Sequence, residues 1–124
     1  MSGPLWLLFL LVMASGSTVF AADDFSQLTG RWQRTDGGYV IEVRQVAADG
    51  SVKAGYFNPR PINVSRAQAS LHKNYIKFEV ELRDRGYPGS TYTLVYDPPN
   101  DRLIGLYFQA VARQNFDVIF VRMK

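Results

Sequence analysis

Residues 75–83 read YIKFEVELR, with Ile76, Phe78, Val80 and Leu82 alternating with Lys77, Glu79, Glu81 and Arg83. Successive side chains of a strand point to opposite faces, so this stretch is a β-strand with one apolar and one charged face. One face covers a core and the other meets water, as in an antiparallel sheet. On its C-terminal side, residues 87–90 (YPGS) place proline second and glycine third, as a type II turn requires. A strand at 91–96 (TYTLVY), a turn at 97–101 (DPPND) and strands at 103–111 (LIGLYFQAV) and 116–123 (FDVIFVRM) follow. On its N-terminal side, residues 28–34 (LTGRWQR), 39–46 (YVIEVRQV) and 52–58 (VKAGYFN) are strands, separated by Asp36-Gly37-Gly38 and Asp49-Gly50. Pro59 and Pro61 cannot donate to a ladder and interrupt the sheet. Residues 62–69 (INVSRAQA) make a weaker strand, with a short helix around 65–71 as its alternative.

The count is eight strands joined by tight turns. Such a meander keeps two edge strands unless the last pairs with the first. Trp32 lies on the first strand and Arg122 on the last. If the sheet closes, the guanidinium can lie over the indole, a contact of about 0.5–2 kcal/mol. The expected fold is therefore all-β: an eight-stranded antiparallel up-and-down barrel with Trp32 and Arg122 closing one end.

The first segment does not belong to that barrel. An apolar run at residues 5–13 (LWLLFLLVM) leads into small residues, the shape of a secretory signal cleaved after Ala21. It is too short for a spanning helix of about 20 residues. No Lys or Arg precedes the run, so an uncleaved anchor is the alternative. The domains are thus a signal peptide at 1–21 and a single barrel at 22–124, exported to a periplasm or secreted, with no stable membrane anchor after cleavage. Residues 22–27 (ADDFSQ) read as a mobile lead-in. The chain has no cysteine, so packing and the sheet alone must hold it. A formal charge of +3 is a mild excess without dense basic clustering, and nucleic acid is not an expected partner.

Gly30-Arg31-Trp32 with the late Arg122 resembles the calycin superfamily of lipocalins, fatty-acid-binding proteins and avidins. Residues 28–32 (LTGRW) and 54–57 (AGYF) look most like avidin and streptavidin, which have neither a helical lid after the first strand nor a helix after the last. The resemblance implies the streptavidin/lipocalin-like barrel. It does not imply biotin. Avidins carry an Asn where this chain has Arg34, a Ser in the first turn where it has Gly38, and a Ser or Thr where it has Pro59. They also wall biotin with several tryptophans, whereas Trp32 is the single one after the signal segment.

In an up-and-down barrel alternate turns share an end. Arg34, Arg60, Arg83, Arg85 and Arg113 then gather at one rim against Asp36 and Asp84, while Asp49, Asp97, Asp101, His72 and Lys73 take the other, which Trp32 and Arg122 plug. An arginine-rich mouth fits an anionic or polar ligand, since guanidinium matches carboxylate, sulfate or phosphate. Arg60 stands out because Pro59 and Pro61 hold its backbone. Parity adds inward polar groups: Asn58, Tyr92, Tyr107 and Gln109, with Tyr96 beside them. The candidate ligand residues are Arg34, Asn58, Arg60, Asn63, Arg85, Tyr92, Tyr107, Gln109 and Arg113.

No catalytic constellation, metal-ligand spacing or phosphate loop occurs, so neither an enzyme nor a cofactor is expected. The leading function is an exported binding module. The alternatives are a secreted calycin-type inhibitor of a hydrolase or protease, its lead-in entering the target's cleft, and a structural envelope protein without a small ligand. The last two strands are apolar on both faces. Ile104, Leu106 and Phe108 then point outward beside Ile119, Val121 and Met123, an apolar patch that predicts a homodimer.

Overall fold

The structure is a computed structural model that describes residues 25–124; the expected signal segment at 1–21 and residues 22–24 lie outside the described residues. A short 3-10 turn, Ser26–Leu28, leads into nine strands: β1 (Gly30–Arg34), β2 (Val40–Val46), β3 (Val52–Phe57), β4 (Pro61–Ile62), β5 (Val64–His72), β6 (Tyr75–Asp84), β7 (Tyr87–Asp97), β8 (Arg102–Gln109) and β9 (Gln114–Arg122). They form one antiparallel sheet in the order β4-β3-β2-β1-β9-β8-β7-β6-β5. The sheet curls into a nearly closed up-and-down barrel.

Eight strands are long, and the ninth is the two-residue β4, which pairs with β3 through Tyr56–Ile62 and Phe57–Pro61. Proline stops the ladder there but still allows a brief edge pairing. The weak strand after it is fully extended, not helical, because it pairs with β6 from Val64 to His72. The expected turn at residues 87–90 is also displaced. Pro88 sits within β7 opposite Arg83, beside a register shift between Glu81 and Arg83, and the chain reverses at Arg85 and Gly86 instead. A bulge accommodates the missing amide donor of Pro88.

One seam in the wall is loosely joined. β3 and β5 meet at a single Ser51–Gln68 bridge, with the Ala69 amide donating to the Gly50 carbonyl at 2.7 Å. Beyond it towards β4 lies a cleft of about 480 Å³ bordered by Arg44, Gly55, Ile62 and Asp84.

The core follows from parity. Ile76, Phe78, Val80 and Leu82 of β6 all point inward, joined by Ile41, Val43, Leu94, Leu103, Val118 and Phe120. Phe25 is buried too, so the end of the expected lead-in belongs to the fold, and Leu28, expected in the first strand, is buried in the 3-10 turn before it. These apolar side chains have core to cover, which a mobile segment would forgo.

The end of the barrel where β1 begins is sealed by one cluster. Trp32 and Arg122 are direct partners across the β1–β9 pairing that closes the sheet. The Arg122 guanidinium lies 4.2 Å from the centre of the Trp32 ring. It donates to both Asp101 carboxylate oxygens, at 2.8 and 3.0 Å, and to the carbonyls of Thr29 and Gln27 at 2.6 and 2.7 Å. Trp32 Nε1 donates to the Leu28 carbonyl at 2.8 Å. Gly30 makes room for this: its φ is +134°, and a Cβ there would stand 2.8 Å from an Arg122 nitrogen.

Trp32 is fully buried, so Trp32→Ala should lower the free energy of unfolding by about 3–5 kcal/mol, read from urea denaturation. The Arg122 hydrogen bond holds the Asp101 carboxyl below its ordinary pKa, partly offset by burial. A depressed carboxylate contributes stability that is present at neutral pH and lost as pH falls through the lowered value. Thermal melts of Asp101→Asn should therefore show a lower midpoint than wild type at pH 7 and a gap that narrows below about pH 4.

Candidate functional site

The opposite end collects the turns β1–β2, β3–β4, β6–β7 and β8–β9, because the strands alternate in direction. Just inside it, Arg34 shares the inward parity of Trp32 two residues before it. Its side chain is only 9 % exposed. Arg34 is thus an interior cation, not the rim residue its place beside the first turn suggested.

Its Nε and Nη2 donate to the two oxygens of Asp36, each at 2.7 Å, and Nη1 donates to the Tyr92 hydroxyl at 3.0 Å. That hydroxyl is 2.7 Å from the hydroxyl of Tyr56. The guanidinium lies 4.1 Å from the Tyr39 ring centre and 5.6 Å from that of Tyr107. Tyr92 stacks on Tyr107 at 4.5 Å. A buried charge is tolerated only when paired and hydrogen-bonded, and this one is. Burial works against the Arg34 charge, but the bonds to Asp36 and Tyr92 outweigh it and raise its pKa. Asp36 is lowered in turn, chiefly by the Arg34 bond. Burial pushes Tyr92 up to about 12, against the lowering influence of Tyr56 and Arg34, so it is a neutral phenol at physiological pH.

Tyr56, Tyr92 and Tyr107 fill the barrel beneath Arg34; each is less than 10 % exposed. The mouth is therefore floored by side chains. Tyr39 and Tyr87 are half-buried above that floor, and Asn58 Nδ2 donates to the Tyr87 hydroxyl at 2.9 Å.

The remaining sequence candidates are spread about this cluster. Arg60, Arg85 and Arg113 are exposed on three different turns of the same end, and none has an ion pair among the described residues. Arg83 points instead to Glu81 at 3.5 Å. Asn63 is tied to β6: its side chain donates to the Arg83 carbonyl at 3.1 Å and its amide to Asp84 at 2.8 Å. Gln109 accepts from the Ala112 amide at 3.2 Å and braces the last turn. Of the nine candidates, Arg34, Tyr92 and Tyr107 form one connected group, with Asn58 reaching it through Tyr87.

Four participants were missing from the sequence reading: Asp36, Tyr39, Tyr56 and Tyr87. Parity carries two of them, since Tyr39 alternates with Ile41 and Val43, and Tyr56 with Asn58. Asp36 read as turn chemistry and as one of two acids on the arginine rim, and Tyr87 as the start of a turn.

The outward faces of β8 and β9 carry the predicted patch. Ile104 pairs with Ile119 and Arg102 with Val121, while Asp117 interrupts the patch opposite Leu106, and Asn115 lies opposite Phe108. Leu106, Val121 and Met123 are exposed, and Ile104, Phe108 and Ile119 half-buried. Phe116 shares the inward parity of Val118 and Phe120 but is 43 % exposed, since it lies at the mouth end of β9.

Among the described residues no group of three or more His, Cys, Asp or Glu side chains could hold a metal. What the mouth offers chemically is hydrogen-bond donors around one fixed positive charge. No family model matches this chain, and neither a curated protein nor a solved structure matches it.

Tyr92→Phe tests the internal string. It leaves an Arg34 N–H and the Tyr56 hydroxyl without their partner, and a buried polar group left unpaired costs about 1–3 kcal/mol. Urea denaturation should register that loss, whereas Tyr87→Phe, whose hydroxyl bond is only partly buried, should cost less.

Proposed function

We propose that the protein is an exported, non-enzymatic binding module that takes an anionic or polar ligand at the arginine-lined end of its barrel. The observation that carries this reading is the Arg34 guanidinium, nine-tenths buried yet neutralised by a carboxylate from an exposed turn. Nothing in the barrel's architecture needs a cation there; apolar groups of the same size fill such positions without the cost of desolvating a charge. Arg60, Arg85 and Arg113 stand on turns of the same end, exposed and without ion pairs among the described residues, and favour the approach of an anion. The nearly closed antiparallel barrel, with Gly30, Trp32 and Arg122 at its sealed end, is consistent with a calycin resembling the avidins. Phe25, within the lead-in on which the inhibitor alternative relies, is buried in the barrel.

Native mass spectrometry of the protein purified from its own source should find a co-purifying anion. Arg60→Ala should weaken binding of that ligand while leaving the melting temperature almost unchanged, because an exposed loop charge contributes little to stability. A variant that binds as well as wild type would remove the rim from the account.

A second reading concerns assembly. The apolar faces of Leu106, Ile119, Val121 and Met123 support a homodimer that packs β8 and β9 of two copies across a two-fold axis. In sedimentation equilibrium, wild type should behave as a dimer and Ile119→Lys as a soluble monomer. A wild type that stays monomeric at high concentration contradicts it.

A further inference from the structure

The Arg34 pairing identifies the ligand's chemistry more narrowly, on the reading that this mouth binds an anion. Asp36 grips the guanidinium through both oxygens, at equal distances of 2.7 Å to Nε and Nη2. That is the planar two-point geometry of a carboxylate on an arginine fork. The two partners are unequal in their settings, however. The cation is locked in the wall by Tyr92 and the ring of Tyr39, with a side chain 9 % exposed, whereas the Asp36 side chain is 56 % exposed. Asp36 stands in the β1–β2 turn and is followed by Gly37 and Gly38, and a Cβ at Gly38 would meet nothing within 4 Å. The carboxylate thus comes from an exposed turn with open space at Gly38, while Gly37 packs against the Tyr39 ring.

The surroundings are rich in donors. In the string Arg34–Tyr92–Tyr56, the two phenol oxygens share a single hydroxyl hydrogen, and Arg34 supplies the other bond. One of the two hydroxyl hydrogens thus has no acceptor within the string. The Tyr87 hydroxyl already accepts from Asn58, which leaves it a donor to offer. A single buried cation balances one negative charge, so a monoanion fits it better than a dianion. Beside it, the half-buried Tyr39 ring lies against the guanidinium at 4.1 Å, and its neighbour Tyr56, 17° from parallel with ring centres 6.5 Å apart, is buried.

We propose that Asp36 is a built-in stand-in for the ligand, and that the mouth takes a monocarboxylate whose carboxylate replaces that of Asp36 on Arg34. The occupied fork is then the unliganded state. Binding requires the turn to move aside, and removing the Asp36 carboxylate uncovers the site.

Benzoate is the probe, titrated by calorimetry into wild type and Asp36→Ala at constant ionic strength, with sodium chloride and inorganic phosphate as comparison salts. Asp36→Ala should bind benzoate at least tenfold more tightly than wild type, and the double variant with Arg34→Met should lose that binding. In the wild type, which needs no substitution to fold, saturating benzoate should shift the Arg34 Nε–H resonance in the NMR spectrum. Benzoate acting on Asp36→Ala no differently from chloride would overturn the proposal. Phosphate binding without benzoate binding would also overturn it, while leaving the broader anion-binding reading intact. Should Asp36→Ala fail to fold, the wild-type resonance decides: a shift supports the stand-in, and an unmoved Nε–H refutes it.

Discussion

The structure depends on the pairing of its first long strand with its last. Antiparallel neighbours are easy to join in sequence, but β1 and β9 are separated by the whole barrel, and their ladder joins the two ends of the meander into one sheet whose remaining edges, β4 and β5, flank the seam bridged at Ser51–Gln68. Arg122 is built into that ladder as the direct partner of Trp32. It lies over the indole and ties the Gln27 and Thr29 carbonyls and the Asp101 carboxylate to one guanidinium. One side chain thus gathers the lead-in, β1, β9 and the turn after β7. Gly30 follows from this constraint, since any side chain there would displace the arginine.

The two ends of the barrel use arginine differently. At the sealed end the cation is surrounded by backbone carbonyls and a carboxylate, so its hydrogen-bonding capacity is taken up by the fold. At the other end Arg34 faces phenols, which are themselves donors, and its one anionic partner comes from an exposed turn. The same residue type therefore serves as a structural clasp in one place and leaves an exchangeable partner in the other. Rim arginines on separate turns add positive potential above the second without contributing to packing. This contrast makes the mouth, rather than the sealed end, the place to look for a ligand.

Much of the fold was legible in the sequence because period-two alternation carries through the strongest strands. Ile76, Phe78, Val80 and Leu82 declared their face, and all four are buried. The departures lie where backbone hydrogen bonding overrides local turn chemistry. Residues 87–90 have the composition of a type II turn, yet β7 extends through them because β6 offers a partner strand and a bulge absorbs Pro88. The β4 pairing is too short to leave a pattern. The mouth was only partly legible. Arg34 was placed at the rim by its position beside the first turn, although its parity with Trp32 points inward. The reason it can be buried, the Asp36 carboxylate two residues later, belongs to a turn and has no periodic signature. Tyr56 and Tyr92 contact across the barrel at a separation of 36 residues, which no local reading reaches.

Closure is tested most directly by native-state hydrogen exchange at the β1–β9 joint. The Thr35 amide donates to the Ile119 carbonyl at 2.9 Å and the Met123 amide to the Arg31 carbonyl at 2.8 Å. In a barrel held shut by this pairing, both amides exchange only through openings close in free energy to global unfolding, as slowly as those of the β6–β7 ladder. Exchange of Thr35 and Met123 at the rate of exposed turn amides, with β6 and β7 still protected, would contradict closure at β1–β9 and leave two sheets joined only at the Ser51–Gln68 bridge.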